Sequence, residues 1–270
     1  MKTQLSTSDK ARFFKAGLRA ADWFVSSQLT RYRPDWDANR GRFLYYYCRP
    51  ADRYVPGINW TMGRALFTLT DACRATGNRK YRDSAELGAS YVAALQEMDP
   101  FFKKGAGAIR ENIPQLAWAG MLDGAQAASG LIMLEQVTGR AEWLRRGIAF
   151  GEFLLRNFSA TKGFPAKVVF EPEEQIVYSV PNLLMAQCTA MPLWHLYKRT
   201  GQKRWLPPLL WAADFALKCQ RDDGAIEYRQ SPGSVPPPKP NQHEGRGEGD
   251  DRYVLHNDDG IVVVILAAYM

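Results

Sequence analysis

From Arg79 to Gln96 the apolar residues fall at helical spacing. Ala85, Ala89, Val92 and Leu95 make one stripe, while Arg79, Lys80, Arg82, Asp83 and Glu86 occupy the other face. This period predicts an amphipathic helix with one side against a core. Two other segments read differently: GAQAASGLIMLEQV (124–137) has one charged residue, and LLMAQCTAMPLWHLYKR (183–199) has none before Lys198. A helix that is apolar nearly all round is enclosed on several sides. Two layers are therefore expected, apolar helices inside and charged helices outside. Pro192, inside one inner segment, implies a kink.

The pattern recurs. TGNRKY (76–81), TGRAEW (138–143) and TGQKRW (200–205) are each 62 residues apart. At that offset Gly77, Gly139 and Gly201 coincide, as do Tyr81, Trp143 and Trp205, then Ala89, Gly151 and Ala213, then Tyr91, Phe153 and Phe215. Self-similarity at a fixed period marks stacked supersecondary units. Each unit reads as two helices, the first over about 61–75, 124–137 and 183–199, the second over about 80–96, 142–158 and 204–220. Glycine after the first helix suits a left-handed C-cap. Pro207 and Pro208 stand in a first turn, where proline is tolerated. ADWFVSSQ (21–28) matches ASYVAALQ (89–96), so the chain opens on an outer helix. DDGIVVVILAAYM at the other end matches LDGAQAASGLIML, which puts the last residues inside an inner helix and predicts a chain truncated after 270. The expectation is one all-α domain over 1–270, with hairpins at about 60–96, 122–158 and 182–220 and a flexible Pro/Gly-rich loop at about 229–251.

The turns inside the hairpins are four or five residues, whereas the connections between them are long: about 29–59, 97–122, 159–182 and 221–258. All of these emerge at the N-terminal end of the inner helices, and long loops on one face of a rigid scaffold are where sites lie. Residues 1–110 hold 19 Lys/Arg against 10 Asp/Glu, and the remainder 16 against 18. The basic residues are scattered, which argues against nucleic acid as partner. No apolar run reaches membrane-spanning length. Four distant cysteines, Cys48, Cys73, Cys188 and Cys219, fit buried thiols and a cytoplasmic protein. No cysteine–histidine spacing suits zinc, so no metal and no cofactor are expected.

The connections concentrate carboxylates and aromatics. The first holds Tyr45, Tyr46, Tyr47, Tyr54 and Trp60; the second Arg110, Glu111, Trp118 and Asp123; the fourth Tyr253, His256, Asp258 and Asp259. Aromatic faces stack on sugar rings, and carboxyl groups supply acid, base or nucleophile. Each candidate has a structural reading too. Asp123 and Asp259 each precede a glycine at the start of an inner helix and suit an N-cap. Glu111 beside Arg110 suits an ion pair, and His195 in mid-helix suits the core. The catalytic set expected here is Asp259, Asp258, Glu111, Asp123 and His256, and the binding set Trp60, Trp118, Tyr46, Arg110 and Tyr253.

Paired inner and outer helices, a TG-aromatic turn and acid-plus-aromatic loops resemble the six-hairpin (α/α)6 toroid carbohydrate-active enzymes, which include glycoside hydrolases, polysaccharide lyases and sugar epimerases. The resemblance implies a carbohydrate substrate, with glycosidic hydrolysis by a carboxyl pair as the leading expectation. The alternatives are uronate lyase or epimerase chemistry, with Arg40, Arg42, Arg49 and Arg53 meeting an anionic sugar, and a non-catalytic helical-repeat binding module.

Overall fold

The computed structural model describes residues 6–31, 39–179, 181 and 183–220, the side chain of Tyr46 excepted. Seven α-helices make its scaffold: α1 (Thr7–Ser27), α2 (Asn59–Thr76), α3 (Arg79–Leu95), α4 (Met121–Thr138), α5 (Ala141–Asn157), α6 (Leu183–Thr200) and α7 (Leu206–Lys218). α2, α4 and α6 pack side by side as the inner layer, and α1, α3, α5 and α7 lie outside them. The stripe Ala85, Ala89, Val92 and Leu95 is buried in α3. In α4 twelve of eighteen residues are buried, as its near-absence of charge requires. Backbones approach closely where side chains vanish: a Cβ on Gly63 of α2 would stand 2.4 Å from the main chain of Gln126 in α4.

The three TG turns are built alike. Gly77, Gly139 and Gly201 are left-handed at φ 67°, 67° and 66°. Their amides donate to the carbonyls of Cys73, Glu135 and Tyr197 at 2.7, 2.8 and 2.8 Å. The preceding threonine works in both directions. The hydroxyls of Thr76, Thr138 and Thr200 donate to the carbonyl four residues back at 2.6, 3.0 and 2.7 Å. They also accept the amides of Asn78, Arg140 and Gln202 at 3.2, 3.3 and 3.3 Å. Orphan groups of the helix end are thus satisfied in one residue pair. The aromatic that follows, Tyr81, Trp143 or Trp205, is buried, with Lys80, Arg140 or Arg204 over its ring. Pro207 and Pro208 lie in the first turn of α7, and Pro192 lies within α6.

The long connections are less featureless than an all-α reading suggests. They carry β1 (Leu44–Cys48) paired with β2 (Arg53–Pro56), and a three-stranded sheet of β3 (Trp118–Gly120), β4 (Lys167–Val169) and β5 (Gln175–Val177). Strands of three to five residues are too short for an alternation to stand out in sequence, but they satisfy buried backbone groups of the loops. Because β3 and β4 come from successive connections, their pairing ties two long loops together beside the start of α4. A further device recurs where the connections after α1 and α3 leave their outer helices. Gln28 Nε2 donates to the carbonyls of Gly41 and Ser84 at 3.0 and 2.9 Å. Gln96 Nε2 donates to those of Gly107 and Arg146 at 3.0 and 3.0 Å. Gly41 and Gly107 have φ 97° and 96°, and a Cβ on either would reach within 2.3 Å of a carbonyl oxygen on the next outer helix.

Of the four thiols, Cys188 and Cys219 are buried while Cys48 and Cys73 are only half-buried. Among the described residues no helix is long and apolar enough to cross a membrane. The expected loop at 229–251 and the last inner helix lie outside the described residues.

Two kinds of glycine separate in urea unfolding. Gly139→Ala, where a Cβ meets nothing within 4 Å, should cost roughly 1–2 kcal/mol from the left-handed backbone alone. Gly63→Ala should cost about 3 kcal/mol, because the obstacle is backbone. Equal losses at the two sites would contradict the tight α2–α4 contact.

Candidate active site

The connection from α3 to α4 is anchored residue by residue. The Arg110 amide donates to the Leu95 carbonyl at 3.0 Å, and the Arg110 carbonyl accepts from Asn59 Nδ2 at 2.6 Å. Two residues on, the Asn112 carbonyl accepts the Tyr91 hydroxyl at 2.6 Å. Glu111 lies between these two fixed peptides and is 7% exposed. Its Oε2 would stand 2.9 Å from a Cβ at Gly120, and its carboxyl meets that of Asp123. Oε2 has no hydrogen-bond partner of normal geometry, and two carboxyls bond each other only when the pair holds a proton. Burial first, then the hydrogen bond and charge of Asp123, push Glu111 up to about 9, while a backbone contact with Gly120 acts the other way.

Asp123 is not the helix cap. The N-cap of α4 is Gly120, without a side-chain bond, and Asp123 stands in the first turn, where the helix dipole favours negative charge. Trp118, on β3, is 38% exposed. Its Cζ3 lies 3.4 Å from the point above Gly120 that Glu111 Oε2 also approaches. A half-open aromatic ring and a buried acid thus flank one spot at the start of α4.

The other expected residues fall elsewhere. The Arg110 guanidinium pairs with Glu97 at 2.6 Å, not with Glu111. It also donates to the Leu116 carbonyl and lies 3.9 Å from the centre of the Phe170 ring. Trp60, in the first turn of α2, has Arg64 over its ring at 4.8 Å. The Tyr46 backbone pairs with Val55, and Tyr45, Tyr47 and Tyr54 are exposed on the same β1–β2 hairpin. Arg42 is buried and bonded to the carbonyls of Gly57 and Pro56, and Arg40 Nε donates to the Thr30 carbonyl at 3.2 Å. Arg49 and Arg53 remain exposed at the hairpin. Tyr253, His256, Asp258 and Asp259 lie outside the described residues. His195 is part of the packing, 6.3 Å from Phe67 between ring centres, and burial lowers its pKa to about 4. No cluster of three metal-ligating side chains occurs among the described residues.

Sequence reasoning passed over Asn59 and Tyr91, although the repeat marks both. At the 62-residue offset Asn59 falls on Met121 and Leu183, and Tyr91 falls on Phe153 and Phe215. In each case a hydrogen-bonding side chain stands where the other units have an apolar one.

The raised Glu111 pKa has a consequence for stability. A folded chain that keeps this proton to about pH 9, against an ordinary value of 4.5, binds more protons than the unfolded chain throughout that window. Glu111 therefore makes stability fall as pH rises from about 4.5 to 9. Glu111→Gln, neutral at every pH, should flatten that decline in urea unfolding at successive pH values. Parallel declines in the two proteins would rule out a buried neutral carboxyl.

No protein-family model and no curated protein matches the sequence. Solved structures do match the fold. A cellobiose 2-epimerase from Bacillus thermoamylovorans superposes with TM-score 0.64 at 12% identity, over 83% of this chain and 60% of its own. An inactive variant of an α-1,6-mannanase of Salegentibacter sp., in complex with α-1,6-mannotriose, gives 0.52 at 14% identity over 62% and 48%. A polysaccharide lyase gives 0.53 at 13% identity over 78% and 59%. The chain spans about 60% of the length of the first of these. The fold of this chain is that of the (α/α)6 toroid seen in these carbohydrate-active enzymes, represented here by three helical hairpins and a preceding outer helix.

Proposed function

We propose that this chain carries the proton-donating part of a carbohydrate-active site, with Glu111 and Asp123 as a dyad that shares one proton and Trp118 as a platform for a sugar ring. The observation that carries this reading is the buried Glu111 carboxyl against Asp123, beside a half-exposed indole at the end of the scaffold where the long loops gather. Two carboxyls in contact do not both ionise readily, so one proton stays between them at neutral pH. In glycoside hydrolysis that proton passes to the leaving oxygen as the bond to the anomeric carbon breaks, and water supplies the new hydroxyl there. The two carboxyls of a hydrolase stand about 5–5.5 Å apart for retention or about 6.5–9.5 Å for inversion. A pair that shares one proton acts as one group in either scheme. The second carboxyl, nucleophile or base, is assigned to Asp258 or Asp259, near His256 and Tyr253 in sequence.

A second reading is favoured by the degree of structural likeness. The overlap with the epimerase, at TM-score 0.64, exceeds that with the mannanase, at 0.52. In that reading the dyad exchanges its proton with a sugar carbon or hydroxyl and no glycosidic bond is cut. Chromatography separates the two outcomes, since hydrolysis shortens an oligosaccharide and epimerisation keeps its length.

The test is turnover of mannose- and glucose-based oligosaccharides by the full chain and by Glu111→Gln. General acid catalysis contributes about 10²–10⁴-fold, so kcat should fall by at least 100-fold while sugar binding, measured by calorimetry, persists. Trp118→Ala should weaken binding with a smaller loss of kcat. If the sugar binds but neither protein turns it over, the chain is a binding module. If Glu111→Gln keeps full activity, the dyad is not the acid.

A further inference from the structure

Glu111 is held by its neighbours in the chain as much as by its own carboxyl. The carbonyl before it, on Arg110, receives Nδ2 of Asn59, which is fully buried at the first position of α2. One peptide beyond Glu111's own carbonyl, that of Asn112 receives the hydroxyl of Tyr91, buried in α3. Both donors depart from the 62-residue repeat in the same way, a polar side chain replacing Met121 and Leu183 in one case and Phe153 and Phe215 in the other. The helical repeat itself accepts an apolar side chain at both positions, so the polar ones serve the loop they bond.

We propose that Asn59 and Tyr91 are positioning residues that clamp the loop before and after Glu111, at the Arg110 and Asn112 carbonyls, one from an inner and one from an outer helix, so that its carboxyl is pressed against Asp123 and Gly120. The proposal rests on the dyad reading given above. The clamp is stiff for identifiable reasons. Asn59 begins a helix whose other end is fixed by the Gly77 turn. Tyr91 lies under the Arg42 guanidinium, 5.8 Å from its ring centre, and Arg42 itself grips the Gly57 and Pro56 carbonyls. Burial pushes the Tyr91 hydroxyl up to about 12, so it remains a donor across the working range of pH. Among the described residues, the groups facing Glu111 are Asp123 from α4 and Tyr91 from α3, with Arg42 behind Tyr91; the adjacent Arg110 side chain is engaged by Glu97.

A positioning role predicts a change in Glu111 itself, which a purely structural role does not. In carbon-13 spectra of protein labelled at the glutamate carboxyl, one signal should remain protonated at neutral pH and titrate near 9, and its loss in Glu111→Gln assigns it. Tyr91→Phe removes one oxygen and Asn59→Ala one amide. Each should move that titration at least about one pH unit toward the ordinary carboxylate range. Tyr81→Phe, which loses a hydroxyl bond to Asp22 in another part of α3, should leave it in place even where it lowers stability. On a sugar that the protein turns over, Tyr91→Phe should lower kcat about 10-fold with KM changed less than about twofold. If Asn59→Ala does not fold, Tyr91→Phe decides. An unmoved Glu111 titration in Tyr91→Phe overturns the proposal. If no sugar is turned over, the proposed function fails, while the titration still decides whether the clamp exists.

Discussion

The left-handed glycine after each inner helix is the constraint on which the rest of the structure depends. At φ near 67° the chain turns back within a few residues, and the threonine before it closes the helix end by donating backward and accepting forward. A short, saturated turn at one end leaves all remaining chain length for the other end. Among the described residues, the connections from α3 to α4 and from α5 to α6 then lie at that end, and their strands β3 and β4 pair there. Glycine is required because any Cβ in that backbone region meets the following carbonyl. Threonine is suited because its hydroxyl can reach a carbonyl one turn back.

On this scaffold the interior is graded. The inner helices are packed through small residues, with Gly63 against the α4 backbone as the tightest approach, and their sides away from solvent carry little charge. Polarity returns at their N-terminal ends, where Asn59, Glu111 and Asp123 meet. Glu111 is the one described carboxyl whose burial and carboxyl neighbour both oppose ionisation. A buried carboxyl held toward its neutral form by burial and by Asp123, next to a half-exposed tryptophan, is an unusual arrangement in a core that otherwise excludes unpaired charge. The loop that carries it is bonded from two helices, by Asn59 at the Arg110 carbonyl and by Tyr91 at the Asn112 carbonyl. Arg110, adjacent in sequence, plays a different part: its ion pair with Glu97 and its place on the Phe170 ring join the loop to the three-stranded sheet.

Fold and site differ in how far the sequence exposes them. The hairpins were legible because helical periodicity and cap residues are local properties, and because a repeat shows the same local code three times. Glu111, Asp123 and Trp118 were legible as a group only through the lopsided loops. Their individual roles were not. Asp123 looked like an N-cap from its place before Gly124, yet α4 begins at Met121 because β3 leads straight into it from Gly120. Arg110 looked like the partner of Glu111, yet neighbouring residues in a loop point apart, and Glu97 lies on the side to which Arg110 turns.

The sequence by itself determined the two-layer hairpin scaffold, the register of its turns and the end at which the long connections enter the inner helices, since these follow from spacing along one chain. Only the tertiary structure decided that Glu111 meets Asp123, that Arg110 turns away to Glu97, and that Asn59 and Tyr91 close on either side of the acid. Those pairings join residues from 12 to 51 positions apart. They are set by how α2, α3 and α4 pack and by which peptide the loop offers to each side chain, and neither periodicity nor composition carries that information.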